Sequence, residues 1–306
     1  GARNVADVVV ADITDGSVTG RGECVPYPRY GESIEQSMAE IAAMADAVSA
    51  GMDRGELQRR MPPGAARNAL DCAFWDLEAK LTGVPVWQAA ELDGPPGPVV
   101  TAFTISVDTP EGMAAATRDA VGKPLLKVKL AGDGDLERMR AVREAAPGAR
   151  LIADANEAWT VDHLHRFAPA YADLGVELIE QPFPAGDDDP LLGFRSPVPI
   201  GADESCHSRE ELEACKGKYR VLNLKLDKTG GLTEALELKR AALAAGFDLM
   251  VGCMVGSSLA MAPAMYVAQG VRFVDLDGPL LLAADREPGL RFDGATVHPP
   301  DPALWG

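Results

Sequence analysis

Beyond residue 98 the chain alternates between short apolar, β-branched segments and longer amphipathic ones, and this rhythm constrains the fold more than any other feature of the sequence. The strand-like segments are 99–106, 125–130, 150–153, 177–179, 199–202, 221–226, 249–253 and 272–276, with helical patterns at 110–121, 135–145, 160–174 and 232–245. Strands separated by helices pair in parallel, because a parallel neighbour needs a long crossover. Eight such strands predict a closed (β/α)8 barrel. The competing fold, an open doubly wound sheet, would carry a glycine-rich phosphate turn, and no GxGxxG or GxxxxGK[ST] follows any of the eight segments.

The first 97 residues read differently. Segments 8–13 and 16–22 predict a hairpin turning at Asp15-Gly16. Ser33 with Gln36 is capping-box-like and predicts a helix to about Ser49, and AARNALDCAFWDLEAKL, residues 65–81, predicts a second. The run Gly94-Pro95-Pro96-Gly97-Pro98 marks a boundary. The expected organisation is an α+β unit over 1–97 and a barrel over 98–284.

Composition excludes some functions. Against 46 acidic residues stand 29 basic ones, a net charge of −17, which disfavours nucleic acid or an anionic membrane as the main partner. Five cysteines without CxxC spacing suit reduced thiols and a cytoplasmic protein. The opening residues carry no signal-peptide pattern. Residues 249–271 are uncharged over a bilayer's length, but their glycines, serines and Pro263 predict a buried strand–helix pair instead. His163 and His165 read as exposed helix residues.

In a (β/α)8 barrel the chemistry gathers at the C-terminal strand ends. There the sequence places Lys127-Val128-Lys129, Asp154-Ala155-Asn156, Glu180-Gln181-Pro182, Asp203-Glu204-Ser205, Asn223-Leu224-Lys225, Gly252-Cys253-Met254 and Asp275-Leu276-Asp277. Any one aspartate would read as a helix cap or loop carboxylate. Three carboxylates on successive strands, Asp154, Glu180 and Asp203, instead offer the oxygen donors that a hard divalent cation such as Mg2+ prefers. Lys127 and Lys129 share a strand face by period-two alternation. Lys225 lies four strands further round, on the opposite wall. Two lysines facing each other suit removal of a proton from one face of a carbon and its return to the other, provided that a depressed pKa leaves one of them neutral. Lys228 reads as a surface neighbour.

These residues resemble the enolase superfamily, in its muconate-lactonizing-enzyme-like subgroup, over nearly the whole chain. The matching motifs are the KxK of Lys127 and Lys129, Asp154-x-Asn156, Glu180-Gln181-Pro182, Asp203-Glu204-Ser205 and Lys225 in NLKLDKTGG. Asp275-Leu276-Asp277, together with GECVPYPRYGES (22–33), residues 65–77 and MVGCM (250–254), is similar to the dipeptide epimerases, including the L-Ala-D/L-Glu epimerases of murein-peptide recycling. The resemblance implies an enolase-type modified TIM barrel with an N-terminal α+β capping domain, to which the tail 285–306 returns. It implies Mg2+ on Asp154, Glu180 and Asp203, and Lys129 and Lys225 as the two bases of a 1,1-proton transfer through an ene-diolate, chemistry for which this superfamily is a standing example. It further implies Lys127, Cys253, Met254 and an ammonium-binding pair, Asp275 and Asp277, around the substrate, with Asn156 and Glu204 orienting ligands. The family's capping domain has a further N-terminal strand and loop, expected before Gly1. A cation for the substrate's side chain is expected there, with Arg29 and Arg3 as substitutes, for either of which a structural salt bridge is the equal alternative. The partner is a small dipeptide, and a homo-oligomer is possible. Related alternatives are an N-acylamino-acid racemase and a lyase such as o-succinylbenzoate synthase or a cycloisomerase. A third reading, a non-catalytic metal-binding barrel or a structural protein descended from an enzyme, has little support beside both lysines and all three carboxylates.

Overall fold

A computed structural model describes residues 5–306; Arg3 lies outside the described residues. Strands β1 (Val9–Asp15) and β2 (Val18–Cys24) form the antiparallel hairpin, and Val9, Ala11 and Ile13 of β1 point inward in alternation with exposed neighbours. The hairpin lies so close to the helix Ala65–Thr82 that β2 needs glycine: a Cβ at Gly22 would stand 2.0 Å from the Ala69 carbonyl oxygen. Ser33 caps the preceding helix through Gln36 N–H. The Gln36 side chain turns to Glu40 instead of completing a capping box, and the helix Ile34–Ala43 breaks at Met44 before a short Ala45–Ser49 segment.

The predicted first strand of the repeat divides in two. Its start, β3 (Val99–Val100), leaves the repeat and pairs with the tail hairpin β12 (Phe292–Asp293) and β13 (Thr296–Val297). The division follows from Thr101 N–H bonding Ala295 O while Ala102 N–H bonds Val274 O. The remainder becomes β4 (Phe103–Ile105) and opens an eight-stranded parallel sheet. Its other members are β5 (Leu125–Lys129), β6 (Arg150–Asp154), β7 (Val176–Glu180), β8 (Ile200–Ala202), β9 (Val221–Leu224), β10 (Asp248–Val251) and β11 (Phe273–Val274), ordered as in the chain. The edges meet through the Ala102–Val274 bond, 2.7 Å, and Leu276 N–H to Thr101 Oγ1, also 2.7 Å. This is the (β/α)8 barrel. Residues 248–267 form a strand and a fully buried helix, Ser258–Val267, and among the described residues no helix is long and apolar enough to cross a membrane.

Alternate strands fill the barrel in layers. The floor is apolar: Leu125, Leu178, Val221 and Phe273 of β5, β7, β9 and β11 pack with Ala102, Ile152 and Met250 from between them. Two residues further along the same four strands, on the same face, stand Lys127, Glu180, Asn223 and Asp275, all buried.

Candidate active site

That second layer is bonded around the barrel. Lys127 Nζ lies 2.9 Å from Glu180 Oε2, 3.0 Å from Asp275 Oδ2 and 3.1 Å from Asp154 Oδ2. Asn223 Nδ2 donates to Glu180 Oε1 at 2.7 Å. Above it, Lys129 pairs with Asp154 at 2.7 Å and Lys225 with Asp203 at 2.6 Å. β5 and β9 are four places apart in a ring of eight, so Lys129 and Lys225 face the same space from opposite walls. Register brings Asp154 beside both Lys129 and Glu180, and Glu180 beside Gly201, two residues before Asp203.

The electrostatics follow from burial and pairing. Burial alone would raise Asp154, but the Lys127 and Lys129 ammonium groups hold it at about 2. Glu180 is pushed up to about 7 by burial and by Asp154 beside it, and Glu204 to about 8 by burial and Asp203. Lys225 moves against the depressed pKa expected of a neutral base: burial would lower it, and Asp203 raises it above the usual lysine range.

The donor set fits a hard divalent cation. Asp154, Glu180 and Asp203 are carboxylates at the ends of adjacent strands, and each is at most 1 % exposed. Glu180 Oε2 and Asp203 Oδ1 are buried and accept no well-formed hydrogen bond, although each lies within ion-pair distance of an ammonium, Lys127 and Lys228 respectively. In this pairing the lysines stand between the carboxylates, so among the described residues no three such groups form a ready ion cage.

Asp275 and Asp277 both lie just beyond β11 and are buried. Asp275 gives one oxygen to Lys127, while its Oδ1 has no partner among the described residues. Asp277 Oδ2 accepts Thr104 N–H at 2.8 Å, and Asp277 begins the turn Gly278–Leu281.

The family models match both parts of the chain: "Mandelate racemase / muconate lactonizing enzyme, N-terminal domain" over residues 1–89 and "Enolase C-terminal domain-like" over 112–301. The chain belongs to the enolase superfamily. It is 49% identical to the L-Ala-D/L-Glu epimerase of Escherichia coli (strain K12), over 97% of this chain and 93% of that protein. It is 46% identical to an N-acetyl-D-glutamate racemase of Pseudoalteromonas sp, over 98% and 95%. An enolase family member from Agrobacterium tumefaciens with homology to dipeptide epimerases, solved with sodium, L-Ala-L-Glu and an ordered loop, superposes with a TM-score of 0.97 at 57% identity, covering 98% of this chain and 92% of that one. A dipeptide epimerase from Methylococcus capsulatus, complexed with Mg and L-Arg-D-Lys, superposes at 0.86 and 32% identity, covering 97% and 91%.

Several placements in this enolase-superfamily site depart from the sequence reading. Lys228 is not a surface neighbour. It is 1 % exposed, and its ammonium reaches Asp203 Oδ1 at 2.7 Å and the carbonyls of Asp203, Asn223 and Cys206. The one-turn helix Leu226–Thr229 after Lys225 folds it inward. Asn156 is exposed, and it touches Asp154 through its backbone: its N–H donates to Asp154 Oδ1 at 3.0 Å. Arg29 engages a carboxylate of the barrel, with both arms of its guanidinium on Glu157 at 2.6 and 2.7 Å. Cys253 and Met254 follow β10, half-buried. His163 is less exposed than expected, because its ring completes the cap with Thr160 and meets Asp133.

Sequence reasoning assigned no role to Asn223, Gln181 or Glu157. Asn223 was within reach, because it stands two residues before Lys225 and therefore on the same strand face. Gln181 left no comparable signal. At φ +36° it aims its amide back into the strand ends, where Oε1 accepts Asp203 N–H and Ser205 N–H and Nε2 donates to Phe183 O, Ser205 Oγ and Tyr219 OH.

Proposed function

We propose that this chain is a Mg2+-dependent dipeptide epimerase that inverts the C-terminal residue of L-Ala-D/L-Glu, with Lys129 and Lys225 as its two acid–base groups. The observation that carries the reading is the pair of lysines on opposite barrel walls, with the buried carboxylates Asp275 and Asp277 on a third. Asp154, Glu180 and Asp203 would hold the cation, which when bound supplies Lewis-acid stabilisation of negative charge on the substrate carboxylate.

The residues then divide the work. One lysine removes the α-proton, and the electron pair passes into the carboxylate to give the ene-diolate. The opposite lysine, as ammonium, returns a proton to the other face. Lys225 is charged in the pairing seen here, since Asp203 raises its proton affinity, and so stands ready as the acid. In the reverse direction Lys225 acts as base, which requires Asp203 to direct its charge elsewhere. Lys127 adds a buried positive charge beside Glu180, Asp154 and Asp275. The unpartnered Asp275 Oδ1 is a hydrogen-bond acceptor suited to an α-ammonium group.

The test is incubation with L-Ala-L-Glu in D2O. α-Deuterium should enter together with inversion, stop on exhaustive chelation and return with Mg2+. Undiminished exchange after chelation would overturn the metal assignment. A second reading, racemisation of an N-acylated glutamate, is favoured by the Pseudoalteromonas similarity and by Asp277 already accepting Thr104 N–H. N-acetylglutamate in the same assay separates the two.

A further inference from the structure

Two barrel loops and the capping unit meet at one carboxylate that the reaction does not use. Glu157 lies three residues beyond Asp154. One of its oxygens accepts Ala185 N–H from the loop after β7 at 2.7 Å, and both accept the Arg29 guanidinium at 2.6 and 2.7 Å. Arg29 sits in the turn Pro28–Tyr30, which follows β2 of the capping hairpin. Next to Arg29, the Tyr30 ring stacks edge-on against His207 at 4.5 Å, tying the same turn to the loop after β8. Arg29, Tyr30, Ala185, Glu204 and His207 all line a cavity of about 310 Å3, and Glu204 adjoins Asp203.

The backbone at this point is strained. Asn156 and Glu157 have φ +43° and +65°, left-handed values that cost a non-glycine residue about 1 kcal/mol or more each. Together they put Asn156 N–H on Asp154 Oδ1 and Glu157 N–H on Gln181 O, and they lift the Glu157 side chain towards the capping turn.

We infer that Glu157 is a positioning residue, the barrel half of a clamp that holds the capping turn 27–32 over the substrate mouth through Arg29. The clamp occupies Arg29's planar fork, so Arg29 acts through Glu157 and not by binding the substrate's side chain. The inference rests on the dipeptide reading for its kinetic arm only.

The variants are Glu157→Gln and Arg29→Met singly and combined, with Arg29→Lys keeping the charge without the fork. L-Ala-L-Glu is compared with L-Ala-L-Leu, and hydrogen exchange of residues 27–32 is followed in the full-length chain without substrate. Each single variant should raise KM for both dipeptides by the same factor, roughly fivefold, with a smaller change in kcat. Each should also speed exchange at Tyr30, Gly31 and Glu32, and the double variant should be no worse than either single one. Additive effects, or unchanged exchange and KM, would overturn the clamp. So would a KM rise in Arg29→Met confined to L-Ala-L-Glu, which would make Arg29 a direct side-chain ligand. If the unmodified chain fails on both dipeptides, the substrate reading falls while the exchange arm still decides the clamp.

Discussion

Two layers of the same barrel, one pleat apart on the same four strands, carry opposite chemistry. Leu125, Leu178, Val221 and Phe273 close the floor, and Lys127, Glu180, Asn223 and Asp275 line the space above it. The strands fix both sets of positions equally well. The floor is held by burial of apolar area, worth about 1.5–3 kcal/mol per large side chain. In the upper layer the buried charges are compensated by one another, by Asp154 and by the Asn223 amide, and a buried ion pair gains little net stability against its desolvation cost. The floor therefore bears stability, and the upper layer is kept for reactivity at a site where stability alone would favour apolar residues.

The largest expected effect that would test this contrast lies above the charged layer. Lys129→Ala and Lys225→Ala should each abolish epimerisation, losing about 10^2- to 10^4-fold or more in turnover. Melting temperature should change little for the part-exposed Lys129 and drop clearly for Lys225, whose loss leaves buried Asp203 with Lys228 alone. If, as the family resemblance implies, Lys129 serves the R face and Lys225 the S face, each variant should retain slow exchange from one epimer, L in the Lys129 variant and D in the Lys225 variant, because the surviving lysine still reaches its own face. Deuterium incorporation from each pure epimer measures this. Exchange of both epimers in both variants would replace two bases with one mobile one.

The floor should respond in the opposite sense. Leu178→Ala leaves a cavity among Leu125, Ile152, Val221 and Phe273, and should cost about 2–5 kcal/mol of unfolding free energy, read by denaturant titration. Its kcat at a temperature where it stays folded should remain within a fewfold of the unmodified chain. A thousandfold loss of kcat with stability intact would mean that the floor positions the lysines as well as supporting them.

The same contrast explains what the sequence disclosed. The eight strands, the layer periodicity and the lysine and carboxylate positions are legible because period two and the βα repeat are local patterns. The division of the first strand at Thr101 was not, since it depends on Ala295 and Val274, both more than 170 residues away in the chain. Lys228 was misjudged because Leu226–Thr229 is one turn long, too short to leave a periodic pattern. For Arg29 a structural salt bridge and a substrate contact are equally compatible with the sequence, because its partner, Glu157, lies 128 residues away and is brought to it only by docking of the capping turn.

The smallest effect expected concerns Asp277, where stability and function pull apart within one residue. Burial, then Asp275 beside it, pushes its carboxyl up from the ordinary aspartate value to about 7. A carboxyl with a raised folded-state pKa binds more protons folded than unfolded between pH 4 and 7, so its contribution to stability falls as pH rises through that window and is least favourable above it. Asp277→Asn keeps an oxygen that can accept Thr104 N–H and removes the charge. It should therefore raise the melting temperature at pH 8 by a few degrees more than at pH 5, while raising KM for L-Ala-L-Glu at both. Calorimetric scans at the two pH values, paired with initial rates, measure both sides. An equal gain at both pH values would mean that the buried carboxylate is compensated in the folded chain, and an unchanged KM would move ammonium binding onto Asp275 alone.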